Sequence, residues 1–321
     1  MRKLIDLLSD GQFHPGEELG DVLGISRAGV WKQVQKLQDA GLDVQSVRGK
    51  GYRLAFPMEW LDASVIRSHF PHDFVAEVKH LEVLEVTGST NDVAMAKASQ
   101  GVGSGYVCLA EQQTAGRGRR GRSWVSPMAT NLYLSLVWEF HQGAAQLEGL
   151  SLAAGVAVVD ALSELGVVGV GLKWPNDLLA GDAKLGGILL EMTGDPAGRC
   201  QVVLGIGLNH RIPASVKNEI DQKIIRLEDL KPGVGRNQLA ASMIVHLVRM
   251  LRTFSIRGFS AFRPRWLELD LYRGLSAEVR TGAENILGVA SGVDESGGLL
   301  LQTETGIRVM KGGELSLRLL K

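Results

Sequence analysis

The chain has 321 residues, 35 Lys+Arg against 35 Asp+Glu, and is 45% apolar and 22% charged. Such a neutral, apolar-rich chain is not a uniformly basic nucleic-acid coat protein, an acidic tail or a disordered segment, and at roughly 150 residues per domain it predicts two or three domains. Cys108 and Cys200, far apart in apolar runs, predict free thiols and a cytoplasmic location; the N-terminus lacks a signal peptide's apolar stretch, and no run of about 18 apolar residues is present to cross a membrane.

Residues 1–56 read as a winged helix-turn-helix. Leu4, Ile5, Leu7 and Leu8 predict a short amphipathic helix that Gly11 stops, and Glu17 to Leu23 starts a second after the turn His14-Pro15-Gly16. Ser26 is placed to cap a third helix, RAGVWKQVQKLQDA, ended by Gly41, with Val30, Val34 and Leu37 on one buried stripe. Arg27, Trp31, Lys32, Gln35 and Lys36 are left facing outward. VQSVRGKGYRL then alternates into a hairpin, a wing, whose tip carries Arg48 and Lys50.

Charge separates within this module. Residues 1–26 hold two basic and five acidic side chains, net −3, whereas residues 27–53 hold six basic and two acidic, net +4. The positive part lies on the helix that would enter a major groove and on the wing beside it, which predicts DNA binding through Ser26, Arg27, Trp31, Lys32, Gln35, Lys36, Arg48 and Lys50. The alternative is a protein-interaction module with a solvated basic face. One such helix reads only a few base pairs, so DNA binding predicts a homodimer on a palindromic site and a dimerisation device elsewhere in the chain.

Phe56-Pro57 and the polar stretch to about Ser68 read as a joint to a second domain, residues 68–258. There LEVLEV, YVCLAE and NLYLSLVWEF read as strands, AAQLEGLSLAAGVAVVDALSELG as a helix whose stripe runs from Leu147 to Leu165, and VGLKWPNDLLA as an apolar strand with a polar exit, together a mixed α/β layer. Residues 237–256 predict a packing helix through Leu239, Met243, Leu247, Met250 and Phe254. From residue 270 to 321, LSAEVRT, ILGVASGV, GLLLQT and IRVMKG predict short strands of a small SH3-like barrel, with a turn at Asp294-Glu295-Ser296-Gly297-Gly298. The fold class expected is therefore α+β multidomain.

The chain contains 40 glycines with no collagen-like period, which points to loops where backbone approaches something closely. Gly116-Arg117-Gly118-Arg119-Arg120-Gly121 matches G-x-G-x-x-G in form, but a strand-like segment follows it where a dinucleotide fingerprint needs a helix. Alternating Gly and Arg suits an anion clamp instead: glycine lets amides close in, while Arg117, Arg119, Arg120 and Arg122 supply permanent bidentate donors. A nonspecific basic surface loop is the plainer alternative. No G-x-x-x-x-G-K-[ST] is present, so the chain is no P-loop nucleotidase. Thr87-Gly88-Ser89-Thr90-Asn91 offers polar groups at a helix start, Lys173-Trp174-Pro175-Asn176-Asp177 puts a cation, an amide and a carboxylate at a strand end, and Asp182 to Gly187 and Gly205 to Asn209 pair polar groups with glycines. Taken singly, each is explained by a helix cap or a turn.

Taken in order, GSTN, QTAGRGRRGR, KWPND, KLGG and GIGLN behind a winged helix SRAGVWK resemble the biotin protein ligase family in its bifunctional ligase and repressor form, over essentially the whole chain. The resemblance implies a biotin and lipoate ligase-like catalytic domain, with biotin, ATP and Mg²⁺ as reactants and metal. The biotin carboxylate attacks the α-phosphate to give biotinyl-5'-adenylate and pyrophosphate; a lysine of the biotin carboxyl carrier protein of acetyl-CoA carboxylase then attacks the mixed anhydride. It also implies repression of biotin biosynthesis genes with the adenylate as corepressor.

By motif position the resemblance implies biotin contacts from Ser89, Thr90, Asn91, Gln113, Gly116, Arg117, Gly118, Arg119, Trp124, Lys184 and Gly187. Adenylate and phosphate contacts fall to Arg119, Arg122, Asn176, Lys184 and Asn209, the Mg²⁺ region to Asn176, and the incoming lysine to Asp177, so that Arg119, Lys184 and Asp177 form the catalytic set. The Gly-Arg loop is expected to close over the adenylate and to form the dimer surface. HRIPASVKNEIDQKIIRLEDL lacks the tryptophan that the resemblance puts against adenine, which leaves Ile224 or Ile225 for that place. Two other readings stand beside this one: a biotin-sensing repressor without catalysis, disfavoured by Lys184, Asn176 and Asp177, and a lipoate ligase relative, disfavoured by GRGRRGR and the winged helix.

Overall fold

The computed structural model describes residues 2–141, 143–195, 197–213, 220–280, 284–311 and 316–319. Part of the loop after Asn209, residues 214–219, and the far ends of two predicted C-terminal strands, at 281 and 312, lie outside the described residues.

Three helices open the chain: α1 (Arg2–Leu8), α2 (Gly16–Leu23) and α3 (Arg27–Asp39). Ser26 caps α3 as its spacing predicts, its hydroxyl accepting from Gly29 N–H, and Val30, Val34 and Leu37 are buried beneath it. The hairpin of β1 (Val44–Val47) and β2 (Gly51–Leu54) follows in antiparallel register and forms the wing.

The expected joint is a built element. Asp62 caps α4 (Ala63–Ser68), accepting from Ser64 and Val65 N–H, and Ile66 is buried. Just before it, the Glu59 carbonyl accepts from Arg236 and its carboxylate from Asn237, while Leu61 N–H donates to Glu111. Arg236 and Glu111 form a fully buried ion pair, 2.7 Å apart. Polar composition suggested a linker here, but these side chains satisfy buried groups.

The central sheet has seven strands. They are β3 (His80–Thr87), β4 (Tyr106–Gln113), β5 (Leu132–Phe140), β6 (Val170–Lys173), β7 (Asp177–Ala180), β8 (Ala183–Gly194) and β9 (Cys200–Leu208), in the order β3-β4-β5-β9-β8-β7-β6. Only β3 and β4 run parallel. One face carries α5 (Thr90–Ser99); the other carries α6 (Leu150–Glu164) and the longer α8 (Arg236–Arg257). Covering on both faces explains why the middle strands read as continuous apolar runs.

Helix α6 starts later than its pattern predicts. Ala144–Leu147 is a separate 3-10 turn, Gly149 stands in a left-handed conformation at the helix start, and Leu147 is only partly buried. The predicted polar strand exit at 173–177 is in fact a hairpin turn between β6 and β7, with a cis Trp174-Pro175 bond. Helix α8 matches its predicted span and, among the described residues, is the one helix long and apolar enough to cross a membrane; most of it is buried in the core.

After the short α7 (Leu227–Leu230) and, beyond α8, α9 (Arg263–Leu269), β10 (Ser276–Arg280), β11 (Asn285–Val293), β12 (Leu299–Thr303), β13 (Gly306–Met310) and β14 (Ser316–Leu319) form an antiparallel sheet. Its order, β13-β12-β11-β10-β14, returns the last strand to the side of the first, the SH3-like arrangement. The last strand has no counterpart in the sequence prediction.

Candidate functional site

A cavity of about 770 Å³ opens at the end of the central sheet, in the upper range of small-molecule sites. Six segments meet in it: the start of α5, the Gly-Arg loop after β4, the β6–β7 turn, the start of β8, the end of β9 with the loop beyond, and β14. Every sequence-predicted ligand residue lines it except Gly116, which lies behind the lining: a Cβ there would fall 2.5 Å from the Trp124 carbonyl and 2.7 Å from Ser126 Oγ.

One end is uncharged and hydrogen-bonded. Gln113 Oε1 accepts from Thr90 N–H at 2.9 Å and from Thr90 Oγ1 at 3.1 Å, while Gln113 Nε2 donates to Ser126 Oγ at 3.0 Å. Ser89 begins α5, yet its side chain makes no capping hydrogen bond, so helix capping does not account for it. Below them the buried Ser135 hydroxyl lies 2.8 Å from Thr90 Oγ1 and 2.6 Å from Asn91 Oδ1. Sequence reasoning missed Ser135, a single hydroxyl within an apolar strand.

Trp124 walls this end. Its Nε1 is buried without a partner among the described residues, and the Lys184 ammonium stands 5.4 Å from its ring. The glycines of KLGG and GIGLN make way for neighbours. A Cβ on Gly207 would fall 2.5 Å from the Trp124 ring, and one on Gly205 2.2 Å from Asn91 Oδ1.

The other end is cationic. Lys184 pairs with Asp177 at 2.7 Å, Lys173 stands 3.8 Å from the same carboxylate, and Arg119 Nη1 donates to Asn176 Oδ1 at 3.0 Å. Asn176 Nδ2 in turn donates to the Ile188 carbonyl. Burial lowers both the Arg119 guanidinium and the Lys173 ammonium from their ordinary values, with Asp177 opposing in each case. Arg120 and Arg122 are exposed at the loop tip, with no ion pair among the described residues. Arg318 of β14 also lines the cavity, which the sequence did not suggest because it lies 134 positions from Lys184.

Arg117 departs from the expected four-arginine clamp. Asp92 at 2.7 Å and Glu191 at 3.0 Å hold its guanidinium, and Glu191 also accepts from Asn91 Nδ2. Arg117 is thus an anchored post at the base of the loop, with three further arginines beyond it. Among the described residues no three His, Cys, Asp or Glu stand together as a metal cage. Asn176 Oδ1 and the Asp177 carboxylate are oxygen donors of the type magnesium takes, and both already meet a cation, Arg119 and Lys184 respectively.

Beyond β9, Asn209 Nδ2 donates to the Lys184 carbonyl, and Ile224 lies alongside Lys184 and lines the cavity. Of the two isoleucines expected there, Ile225 turns to the core instead. Arg211 reaches from this loop to the Pro57 carbonyl and the Phe56 ring, and pairs with Glu228. The chain that carries Trp124 continues to Met128 and Ala129, which pack into the core of the winged module. Both ends of the site therefore touch the N-terminal module.

Most of the predicted DNA-facing residues are open to solvent. Ser26, Arg27, Trp31, Lys32, Lys36, Arg48 and Lys50 are exposed and Gln35 is half-buried, with Trp31 at 53% exposure.

Residues 83–209 match the model of the Biotin/lipoate A/B protein ligase family, residues 1–53 an HTH domain, and residues 278–318 the Biotin protein ligase C terminal domain. The chain is 42% identical to the bifunctional ligase/repressor BirA of Salmonella typhimurium over 98% of its own length and 96% of that protein. It is 35% identical to the biotin–[acetyl-CoA-carboxylase] ligase of Mycobacterium tuberculosis over 74% of this chain and 88% of that one. A solved biotin protein ligase from Aquifex aeolicus, in complex with biotin and ATP, superposes with a TM-score of 0.66 at 29% identity, covering 75% of this chain and all of that one.

Proposed function

Because the chain belongs to the biotin protein ligase family in its bifunctional ligase/repressor form, we propose that it joins biotin to ATP in this cavity and passes biotin to a carrier-protein lysine. We further propose that it represses biotin genes through its winged module. One observation carries the reading: a single cavity has an uncharged, hydrogen-bonding end and a cationic end.

Biotin's ureido group is polar but uncharged and suits Ser89, Thr90, Asn91 and Gln113, with Trp124, Gly187 and the loop backbone at Arg117 and Gly118 against the rings. Its carboxylate and the triphosphate are like charges that must meet. Arg119, Arg122 and Lys184 lower that repulsion, and holding both reactants converts an encounter into an intramolecular step. Bound magnesium supplies further neutralisation of the phosphate oxygens, with Asn176 in its region. The carboxylate oxygen bonds to the α-phosphorus as pyrophosphate leaves. The carrier lysine, which we assign to Asp177 for orientation, then attacks the acyl carbon, and AMP departs.

The mixed anhydride hydrolyses in water, so we assign the Gly-Arg tip a covering role, with Asn209 and Ile224 on the nucleotide side. Operator binding as a homodimer on a palindromic site, strengthened by the adenylate, is our reading of the +4 surface and of the contacts from the site to the winged module. The domain bounds 1–56, 68–258 and 270–321 and a cytoplasmic location belong to the same proposal.

Biotin-dependent exchange between ATP and pyrophosphate tests it. The proposal expects exchange with biotin and not with lipoate. No exchange would leave a repressor without catalysis, and exchange with lipoate alone would indicate a lipoate ligase.

A further inference from the structure

The C-terminal domain touches the site through more than Arg318. The turn Asp294 to Gly298 is a rigid projection: Asp294 Oδ1 accepts from Ser296 N–H at 2.9 Å and from Gly298 N–H at 2.8 Å, and Arg263 donates to the Val293 carbonyl at 2.9 Å. At its tip the Gly297 carbonyl accepts from Trp174 Nε1 at 3.1 Å. Trp174 is 1% exposed and sits between Lys173 and Asn176-Asp177, which line the cationic end.

Three further contacts fix the same hairpin turn. Ser151 Oγ donates to the Pro175 carbonyl at 3.1 Å, Leu271 N–H to the Leu172 carbonyl at 3.0 Å, and the Lys173 ammonium stands 5.5 Å from the Tyr272 ring. The approach leaves no room for a side chain. Gly297 has φ +86, and a Cβ there would fall 2.8 Å from Gly149 Cα at the start of α6.

The geometry points to Trp174 as a positioning residue, clamped by the Gly297 carbonyl of the C-terminal domain so that Lys173, Asn176 and Asp177 stand in register with Arg119 and Lys184. This rests on the ligase reading above and adds to it a task for the turn at 294–298. The clamp acts on the nucleotide end only, because the ureido end is held by Ser135, Gln113 and Ser126 on other elements.

Three variants test it: Gly297→Ala, Trp174→Phe, which keeps a ring and removes the N–H, and Gly306→Ala as control. Gly306 has φ +120 but open space around it, so alanine there strains the same domain without touching Trp174. The clamp predicts a rise in the KM for ATP of about tenfold in exchange, the effect of one lost buried hydrogen bond, in both Gly297→Ala and Trp174→Phe. The biotin KM stays within twofold, the double variant is no worse than the poorer single one, and Gly306→Ala behaves as the unaltered chain.

Equal shifts in both KM values, full additivity, or Gly297→Ala matching Gly306→Ala would overturn the clamp while leaving the ligase reading intact. The indole N–H resonance of Trp174, assigned by its loss in Trp174→Phe, gives a readout independent of activity. It exchanges slowly with solvent in the unaltered chain and faster in Gly297→Ala, and continued protection in that variant would refute the clamp.

Discussion

Gly207 offers the sharpest test of how the uncharged end is built. It lies in β9 opposite Gly187 of β8, and its φ is not in the left-handed region, so alanine carries no backbone penalty there. The new methyl would fall 2.5 Å from Trp124 Cε2 and 2.7 Å from Cζ2 and Nε1, closer than carbon atoms approach. Sheet backbone lies behind, so the ring must move toward the cavity. Forcing a methyl into a packed site costs about 1–3 kcal/mol. If that cost falls on the biotin-bound state, at 1.4 kcal/mol per tenfold it weakens biotin binding about 5- to 150-fold. Calorimetric titration with biotin and the biotin KM in exchange measure it, and Gly181→Ala, whose site is open but whose φ of +59 strains alanine, controls for a backbone penalty without a clash on Trp124. Biotin affinity within twofold of the unaltered chain would show that Trp124 does not wall the biotin site.

Other outcomes follow from the same geometry. Arg119→Ala removes a half-buried cation between Asn176 and the cavity, and the dissociation of biotinyl-adenylate, followed by filter binding, should quicken by tenfold or more. Glu111→Gln leaves Arg236 buried beside a neutral partner and should cost about 3–5 kcal/mol in urea unfolding, against under 1 kcal/mol if that pair is incidental. Lys32→Ala and Lys50→Ala should each lower the slope of operator binding against salt by about one unit; unchanged slopes would favour a protein partner for the winged module. Burial pushes the His210 imidazole down to about 4, and its Nε2 lies 2.7 Å from the Val234 carbonyl. The unfolded chain therefore binds the extra proton first, and stability contributed at pH 7 is lost as pH falls from about 6.5 toward 4. Over that window the loss should be roughly 3 kcal/mol, and largely absent in His210→Gln.

Local signals carried the N-terminal module. Ser26 caps α3 and Val30, Val34 and Leu37 sit at helical spacing, so both the helix and its buried face were readable. The site was readable where chemistry repeats in a short window: arginines between glycines, a lysine and carboxylate around Trp174-Pro175, and glycines facing Trp124 and Asn91. What stayed hidden depends on contacts between distant segments. Ser135, Arg318 and the Glu111–Arg236 pair look ordinary in sequence, because each acquires its meaning from a partner more than 40 positions away. Leu147 kept helical period but lost its helix to the Gly149 break, and Arg117 looked like clamp until Asp92 and Glu191 appeared beside it.

On this reading one cavity makes an activated biotin and holds it for a lysine. The direct measurement is a two-stage transfer. The chain is incubated with biotin, ATP and Mg²⁺, freed of unbound nucleotide by gel filtration, and then given a biotin carboxyl carrier domain without ATP. Bound biotinyl-5'-adenylate is expected after the first stage, and modification of one carrier lysine with release of AMP in the second. Absence of the adenylate, or modification that still requires fresh ATP in the second stage, would contradict it.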